Sequence, residues 1–271
     1  MSLFGFSEPV VRLSVFITVL TAMALLELFH PKLERDEMRG ALKTKRWFTN
    51  ISMVVLSSLC LRIIFPAAAV GAAIWLETKN LGLFNLTSIP VWVAGILSFV
   101  ILDFIVWFEH LVSHKWSILW RIHRMHHADN GFDVTTALRF HPLEIVLSMI
   151  WKIMIIAVLG APAVAVLVFE IVLNGMAMFN HSNVKLPTWL DQLIRPILVT
   201  PDMHRVHHSS DRNETDSNYG FNFSFWDRIF MTYSHEPKLG HDGIEIGLKE
   251  YRGPKSSNLI WALLLPFRKN K

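Results

Sequence analysis

The sequence has a single cysteine, Cys60, among its 271 residues, and this cysteine lies within an apolar run. One thiol cannot build a disulfide framework or a cysteine-ligated zinc site, so both are excluded. Charged side chains are also scarce, at 18% of the chain, and no G-x-G-x-x-G pattern for a nucleotide or flavin occurs among the 13 glycines. Any bound group must therefore be held by imidazole, by oxygen ligands or by shape, and redox chemistry would need an external electron source.

Apolar residues, by contrast, make up 52% of the chain and give it a mean hydropathy of +0.37. This composition is too apolar for an ordinary soluble domain and indicates a membrane protein. The net charge of +4, from 26 basic and 22 acidic side chains, suits basic loops on the cytoplasmic side of a membrane better than a nucleic-acid-binding surface. We therefore expect membrane helices and no nucleic-acid partner.

Three apolar stretches, at 10–29, 51–75 and 89–108, have the length of about 20 residues that a helix needs to cross a bilayer. No small-residue cleavage site follows the first stretch, so it is predicted to be a retained span. Arg62 and Asp103 lie away from the ends of the second and third stretches. A charge at such a depth is costly, and we expect both side chains to face protein or a cavity.

The apolar stretch 143–179 is too long for one span and is interrupted by Gly160, Ala161 and Pro162. Glycine permits a turn and proline removes a backbone donor, so the pattern predicts a hairpin of two helices, each of about 17 residues. The alternative is a single buried helix with a kink. A hairpin would return the chain to the side of the membrane on which it began.

Lysine and arginine are distributed unevenly among the loops. Only Lys79 falls within residues 76–88 and four fall within 109–142, whereas residues 30–50 contain Lys32, Arg35, Arg39, Lys43, Lys45 and Arg46. Cytoplasmic loops carry the excess of basic residues. Both histidine-rich segments are therefore expected on the cytoplasmic side, either of a bacterial inner membrane or, in a eukaryote, of the endoplasmic reticulum.

Histidine is concentrated in one part of the chain, with ten of the 13 between His110 and His208. Eight of them form one H-x-x-x-H pair and two H-x-x-H-H triplets: His110, His114, His123, His126, His127, His204, His207 and His208. Positions i, i+3 and i+4 share one face of a helix, so the imidazoles of each box can converge. Eight imidazoles are more than one tetrahedral site can use, which predicts two metal ions with open positions for a small molecule such as dioxygen.

Two further histidines stand apart from these boxes. His181 follows the hairpin and is predicted to be a ninth ligand, with a capping or polar-surface role as the alternative. His141 precedes Pro142, so it is as well explained by the start of a helix as by a bound metal.

Metal-bound imidazoles normally donate their other ring nitrogen to a carboxylate or a carbonyl group. The candidate carboxylates are Asp103, Glu109, Asp129, Asp133, Asp211 and Asp227. Asp103 is the foremost, because it lies two helical turns before His110 and shares roughly the same face. We include Asp103, Asp227 and His141 as candidate partners of the metal ligands.

The motifs are similar to the signatures of the fatty acid hydroxylase and sterol desaturase superfamily of membrane di-iron oxygenases. The resemblance covers about residues 103–233 and includes the three histidine boxes, R-F-H-P-L-E at 139–144, and N-Y-G and F-W-D-R at 218–220 and 225–228. It implies that the eight box histidines and His181 bind two iron ions, with dioxygen as co-substrate. Some members have a second histidine where this chain has Lys185.

The resemblance also implies an oxidoreductase that hydroxylates or desaturates a lipid of the sterol, fatty acyl, sphingoid or alkylglycerol type. Electrons would come from an external donor, such as a ferredoxin, a reductase or a haem carrier. The alternative enzyme is a membrane zinc hydrolase, although no H-E-x-x-H motif occurs. A non-enzymatic metal-binding membrane protein is less favoured, because the histidines lie outside the predicted spans.

The predicted fold is an all-α, multi-pass membrane bundle of three single spans and a helical hairpin, capped by a cytoplasmic histidine-rich helical region. We expect an N-terminal transmembrane region at 1–88 and a fatty acid hydroxylase-like di-iron domain at 89–236, which includes the hairpin 143–179. A C-terminal tail at 237–271 would follow.

Overall fold

The computed structural model describes residues 2–3, 6–34 and 36–268, so Arg35 of the basic loop and the last three residues of the predicted tail lie outside the described residues. Strands β1 (Ser2–Leu3) and β2 (Phe6–Ser7) form a short antiparallel pair. The other regular structure is helical: α1 (Glu8–Phe29), α2 (Gly40–Ile64), α3 (Ala68–Thr78), α4 (Val91–Lys115), α5 (Ser117–His127), α6 (Pro142–Leu159), α7 (Ala163–Asn180), α8 (Thr188–Ile194), α9 (Pro201–His207), α10 (Arg212–Thr215), α11 (Phe225–Ile229), α12 (Gly240–Gly243) and α13 (Leu259–Leu264). Short 3-10 turns connect them. Apart from the two-residue strands, the all-α prediction is confirmed.

Five helical stretches are long and apolar enough to cross a membrane: Glu8–Phe29, Gly40–Asn85, Val91–Lys115, Pro142–Leu159 and Ala163–Asn180. Their outward faces carry large exposed apolar side chains, such as Val55 and Leu59 of α2. Contiguous apolar surfaces of this extent are unusual on soluble proteins and are explained by contact with lipid. The protein is therefore an integral membrane protein.

The second predicted span, 51–75, is not one continuous helix. α2 ends at Ile64 and α3 begins at Ala68, with Pro66 between them. Proline disfavours the helical conformation in the residue before it, and Phe65 has φ −127° and ψ 74°. Arg62 thus lies in the last turn of α2, and it is exposed, which corrects the expectation that it faces protein or a cavity.

α6 and α7 reverse the direction of the chain. Gly160 ends α6 with φ 64°, a left-handed conformation that glycine adopts without strain. Each helix has 18 residues and is therefore about 27 Å long. Both nevertheless meet the histidines at the ends remote from Gly160, through Glu144 in the first turn of α6 and His181 just after α7. This geometry excludes the single kinked helix.

The loop after α3 lies against the turn of this hairpin. A Cβ atom on Gly82 would lie 2.3 Å from the backbone nitrogen of Gly160, so glycine is required for this close approach. Nearby, the backbone N–H of Ala163 donates to Glu77 Oε1 at 2.8 Å. The loop and the hairpin turn therefore share one end of the bundle, and the histidines lie at the other.

The interior of the bundle is formed where α3 and α4 pack against both helices of the hairpin. A buried apolar cluster fills this space and includes Leu102, Ile156, Val166 and Phe169. α4 continues beyond the cluster to Lys115. Its final turns consequently carry His110 and His114 to the end of the bundle where the other histidines lie.

The segment predicted to be a C-terminal tail packs on the histidine end of the molecule. Ala262 and Leu265 are fully buried, in a cluster with Met53 of α2 and Met125 of α5. The Arg124 guanidinium also donates to the carbonyl of Leu265 at 2.9 Å. The boundary at residue 237 stays a prediction, but residues 244–268 form part of the folded unit.

Candidate metal centre

The nine predicted ligands come from four helices that end at the same level. α4 contributes His110 and His114, and α5 contributes the first triplet. α9 and the residue that caps it contribute the second triplet, and His181 caps the end of α7. All nine side chains are buried. The structure therefore brings together every histidine that the sequence predicted as a ligand.

The nine rings divide into two groups, and within each group one ring nitrogen per residue lies within 4.8 Å of the others. We call them the five-histidine group (His110, His114, His123, His127 and His207) and the four-histidine group (His126, His181, His204 and His208). Each group offers enough imidazole nitrogens to bind one transition-metal ion. The H-x-x-H-H boxes are thus shared between groups, since each triplet contributes to both.

Hydrogen bonds fix the tautomer of several rings. His110 and His207 donate from Nδ1 to the carbonyls of Tyr219 and Ser217, each at 2.7 Å. His181 donates from Nδ1 to the Ala177 carbonyl, also at 2.7 Å. A carbonyl oxygen can only accept, so Nδ1 carries the proton and Nε2 carries a lone pair in the neutral ring.

Two carboxylates hold further rings of the five-histidine group. His123 Nδ1 lies 2.6 Å from Glu144 Oε1, and His114 Nδ1 lies 3.3 Å from Asp216 Oδ1. Four of the five rings in this group therefore have an Nδ1 anchor. In the four-histidine group, among the residues that the structure describes, only His181 has one.

The inward nitrogen atoms fit a bound cation. His110 Nε2 lies 3.2 Å from His123 Nε2, although Nδ1 carries the proton in both rings. Two lone pairs at this distance repel each other unless a positive ion lies between them. His207 Nε2 and both ring nitrogens of His208 are buried with no hydrogen-bond partner among the described residues. An unsatisfied buried polar atom costs about 1–3 kcal/mol, which a coordinated metal would remove.

Burial also keeps the rings in the form that binds metal. It lowers the pKa of His181 from its ordinary value of 6.5 to about 4. Burial, reinforced by neighbouring imidazoles, lowers the pKa of His126, His127, His204 and His208 well below 6.5. Neutral imidazole is the ligating form.

Aromatic rings form part of the wall around the four-histidine group. Phe140 stacks on His126 with ring centroids 4.3 Å apart and an interplanar angle of 12°. Phe132 packs on His208 with a centroid separation of 5.2 Å. Both rings exclude water without offering a hydrogen bond, so this group is held mainly by packing.

The structure corrects the role expected for Asp103. Its side chain is buried as predicted, but it accepts from Trp226 Nε1 at 2.8 Å and from the Phe223 backbone N–H at 3.4 Å. The ring nitrogen of His110 that it was expected to hold is bound by the Tyr219 carbonyl instead. Asp103 thus joins α4 to the segment that begins α11.

Asp227 acts on the ligands through the backbone. It accepts from the backbone N–H groups of Tyr219 and Gly220 at 2.9 and 2.8 Å, and from Trp107 Nε1 at 3.0 Å. It therefore fixes the peptide whose carbonyl anchors His110. Asp227, expected as a carboxylate partner of the ligands, thus supports His110 through the backbone of Tyr219 and not by holding the ring itself.

His141 belongs to neither histidine group. Its Nδ1 accepts from the Leu143 backbone N–H at 3.1 Å, which makes it the N-cap of α6, and its Nε2 lies 3.2 Å from the Leu263 carbonyl. Of the two explanations that the sequence left open, the structure supports the start of a helix.

The sequence did not reveal Glu144 or Asp216 as partners of histidines. Glu144 is an acidic residue in the first turn of an otherwise apolar helix. This position could have indicated that it binds a polar partner. No comparable signal existed for Asp216, which follows the second triplet in an irregular polar segment. The carbonyl partners could not have been found, because every residue has a carbonyl and only the tertiary fold selects one.

Comparison with known proteins supports the same chemistry. The family model for fatty acid hydroxylases matches residues 95–232, more than half of the chain. The chain belongs to the fatty acid hydroxylase family. The predicted resemblance is confirmed, and the protein is an oxidoreductase of this lipid hydroxylase family.

Proteins similar to this chain include lipid-modifying enzymes. It is 26% identical to ornithine lipid hydroxylase OlsE of Rhizobium tropici over 258 residues, which cover 92% of this chain and 76% of that protein. It is 29% identical to alkylglycerol monooxygenase of Homo sapiens over 220 residues, which cover 79% of this chain and 46% of that protein. This chain therefore spans less than half of the human relative. No solved structure matches.

Proposed function

We propose that this protein is a di-iron membrane oxygenase that hydroxylates a lipid, with dioxygen as co-substrate. The observation that carries the proposal is the pair of adjacent buried groups of neutral imidazoles, which together contain nine nitrogen ligands. Two irons held by nine histidines leave coordination positions open for dioxygen. Hydroxylation is favoured over desaturation because the relatives named above are hydroxylases or monooxygenases.

The five-histidine group would hold one iron and the four-histidine group the other. When bound, the pair of irons supplies oxidation of an unactivated C–H bond, in which lipid, dioxygen, two electrons and two protons give the hydroxylated lipid and water. The protein contributes by holding the ligand rings in position. Nδ1 anchors such as those of His110 and His207 hold their rings in one orientation.

The surrounding bundle would deliver the lipid. The ligands lie where α4, α6 and α7 meet the polar cap, by which we mean α5, α9 and the loops at the histidine end of the bundle. An acyl or alkyl chain can therefore approach the ligands sideways from the membrane, between apolar helices. Burial of all nine rings keeps bulk water away from them. The substrate class is a lipid with a long chain and a polar headgroup, as the names of the relatives suggest.

The histidine end is proposed to face the cytoplasm, because residues 30–50 and 109–142, which lead into it, carry six and four lysine or arginine residues, whereas residues 76–88 carry one. Electrons would arrive on that face from a ferredoxin, a reductase or a haem carrier. The di-iron domain at 89–236, with its hairpin at 143–179, would then act with the N-terminal region 1–88 and the segment 237–271.

The test is anaerobic reconstitution of the purified protein with ferrous iron, followed by metal analysis and turnover with a reduced donor and a total lipid extract. We expect about two irons per chain and a lipid product that has gained one oxygen atom, detected by mass spectrometry. Turnover that needs neither dioxygen nor a reductant would favour a zinc hydrolase. Metal binding without any lipid product would favour a non-enzymatic metal-binding protein.

A further inference from the structure

A surface at the histidine end of the bundle combines basic and apolar side chains. It is formed by α13, the turns that flank α13, and the start of α2. We propose that this surface binds the headgroup of an anionic phospholipid, with α13 lying in the membrane–water interface. The proposal concerns the lipid bilayer around the protein and does not depend on the reaction.

The contacts of α13 show where it lies along the membrane-spanning helices. The His141 ring, which caps the start of the hairpin helix α6, lies 3.2 Å from the carbonyl of Leu263. Thr49 of α2 donates to the carbonyl of Ser257 at 2.8 Å. Beyond Thr49 the outward face of α2 becomes apolar. α13 therefore lies at the boundary between the polar cap and the lipid-facing helices.

The two sides of α13 differ in exposure. Ala262 of α13 and Leu265 of the 3-10 turn that follows it are fully buried against the protein, whereas Ile260, Leu264 and Phe267 are 62%, 48% and 64% exposed. Ile260 and Leu264, at i and i+4, share one side of α13, and Phe267 continues the exposed apolar surface in the 3-10 turn. Large apolar side chains in this arrangement are unfavourable in water and favourable at the acyl boundary of a bilayer.

A basic pocket lies beside this apolar side. It has a volume of about 290 Å³ and is lined by Lys45, Lys255 and Trp261, among others. Both lysines are exposed, and no acidic side chain pairs with either of them in the part of the chain that the structure describes. The guanidinium of Arg268 lies 5.9 Å from the centre of the Trp261 ring and adds a third positive charge.

These features together identify the ligand class. Three cations that have no ion-pair partner among the described residues favour a phosphate group, and an indole ring at the same level is typical of the headgroup region. The adjacent apolar side would contact the first carbons of the acyl chains. A soluble acidic partner would satisfy the charges but would leave Ile260 and Phe267 without an apolar environment, so the observations favour a phospholipid.

The charges can be tested on the full-length protein in detergent. The double variant Lys45→Gln/Lys255→Gln is compared with Lys79→Gln/Lys249→Gln, which removes the same charge from exposed sites elsewhere. Binding of dioctanoyl phosphatidylglycerol, dioctanoyl phosphatidylcholine and inorganic phosphate is followed by native mass spectrometry and thermal shift.

We expect the pocket variant to bind phosphatidylglycerol about 10-fold to 30-fold more weakly than the parent, with the control variant within about threefold. Phosphatidylcholine and inorganic phosphate should bind weakly to all three proteins. Equal binding of phosphatidylglycerol by the parent and the pocket variant would overturn the proposal. Binding of inorganic phosphate as tight as that of phosphatidylglycerol would also overturn it, because it would indicate a site for a free anion.

The apolar side is tested separately, in case the charge variants fold poorly. Spin labels are attached through Ile260→Cys or Phe267→Cys in a Cys60→Ser background, with Lys249→Cys as the control, after reconstitution in vesicles that contain phosphatidylglycerol. We expect the labels at 260 and 267 to be relaxed more by oxygen than by a polar nickel chelate, and the label at 249 to show the reverse. Labels at 260 and 267 that behave like the one at 249 would place α13 in water and overturn the proposal.

Discussion

The five-histidine and four-histidine groups contain the same kind of ligand but are held in different ways. In the five-histidine group four rings donate from Nδ1 to a protein oxygen, and two of those oxygens belong to carboxylates. In the four-histidine group only His181 has such a partner within the described part of the chain, and the other rings pack against aromatic side chains such as Phe140 and Phe132. The two groups therefore have similar numbers of ligands but differ in how firmly hydrogen bonds orient those ligands.

This difference has a consequence for metal exchange. An anchored imidazole is already oriented and is made more basic by a carboxylate partner, so it retains metal better than an unanchored one. The five-histidine group should therefore be the more retentive of the two. Substitutions of single residues can show whether the two groups are separate and whether the anchors cause the difference.

The largest effect is expected from removal of a ligand. His204→Ala takes a ring from the four-histidine group and His127→Ala takes one from the five-histidine group. Each should lower bound iron from about two to about one per chain and lower turnover more than about 100-fold, because the proposed oxidation uses both ions. Metal analysis and lipid oxidation assays measure the two quantities. Loss of both ions from either variant would show that the nine histidines form one site.

Acid should destabilise the metal-free protein. Burial lowers the folded-state pKa of His181 from 6.5 to about 4, so between these values the unfolded chain binds more protons than the folded one. The stability of the folded form is then full above pH 6.5 and falls as the pH drops towards 4, by about 3 kcal/mol from this ring alone. Urea unfolding of the metal-free protein at pH 7.5 and pH 4.5 measures the change. Bound metal should remove most of this loss of stability at low pH. A metal-free protein with equal stability at pH 7.5 and pH 4.5 would contradict the prediction.

A smaller effect is expected from Glu144→Gln. The variant keeps the shape of the side chain but removes the carboxylate that holds His123 Nδ1. Iron affinity of the five-histidine group should fall about 10-fold to 100-fold, while the four-histidine group should be unaffected. Dialysis against a chelator, with metal analysis over time, measures the two release rates, and Glu250→Gln at an exposed position serves as control. Equal acceleration of both release rates would contradict the separation of the groups.

The smallest effect is expected from His141→Ala. The variant removes the N-cap of α6, which should lower the free energy of unfolding by about 1 kcal/mol without changing metal content. His141→Asn, which can also cap a helix, should restore most of the stability. Thermal unfolding and metal analysis provide the measurements. Loss of iron from both variants would instead indicate that His141 is a ligand.

The elements that could be predicted from the sequence are those governed by local periodicity. Apolar length predicted the spans, and Gly160 with Pro162 predicted the hairpin turn, because both depend on residues that are neighbours in the chain. The box spacing likewise predicted eight of the nine histidines that the fold brings together, and the position of His181 just after the hairpin predicted the ninth. The break at Pro66 was missed because apolar residues continue through it and hydropathy alone does not register a lost backbone donor.

The partners of the histidines could not be predicted in the same way. His110 and Tyr219 are 109 residues apart, and His114 and Asp216 are 102 residues apart. Helical periodicity favoured Asp103 because it shares the helix of His110, but a side chain two turns away points at a different neighbour. Contacts between distant segments are set by how α4 packs beside the loop after α10, and a single sequence does not show that packing.

The segment from Ser217 to Tyr219 is a support that two helices share. Its carbonyls hold His207 of α9 and His110 of α4, and Asp227 fixes the segment through the Tyr219 and Gly220 N–H groups. A displacement of this short loop would move two ligands from different helices in concert. Substitutions at residue 227 would therefore change the orientation of two proposed ligands of the same metal ion without removing any histidine.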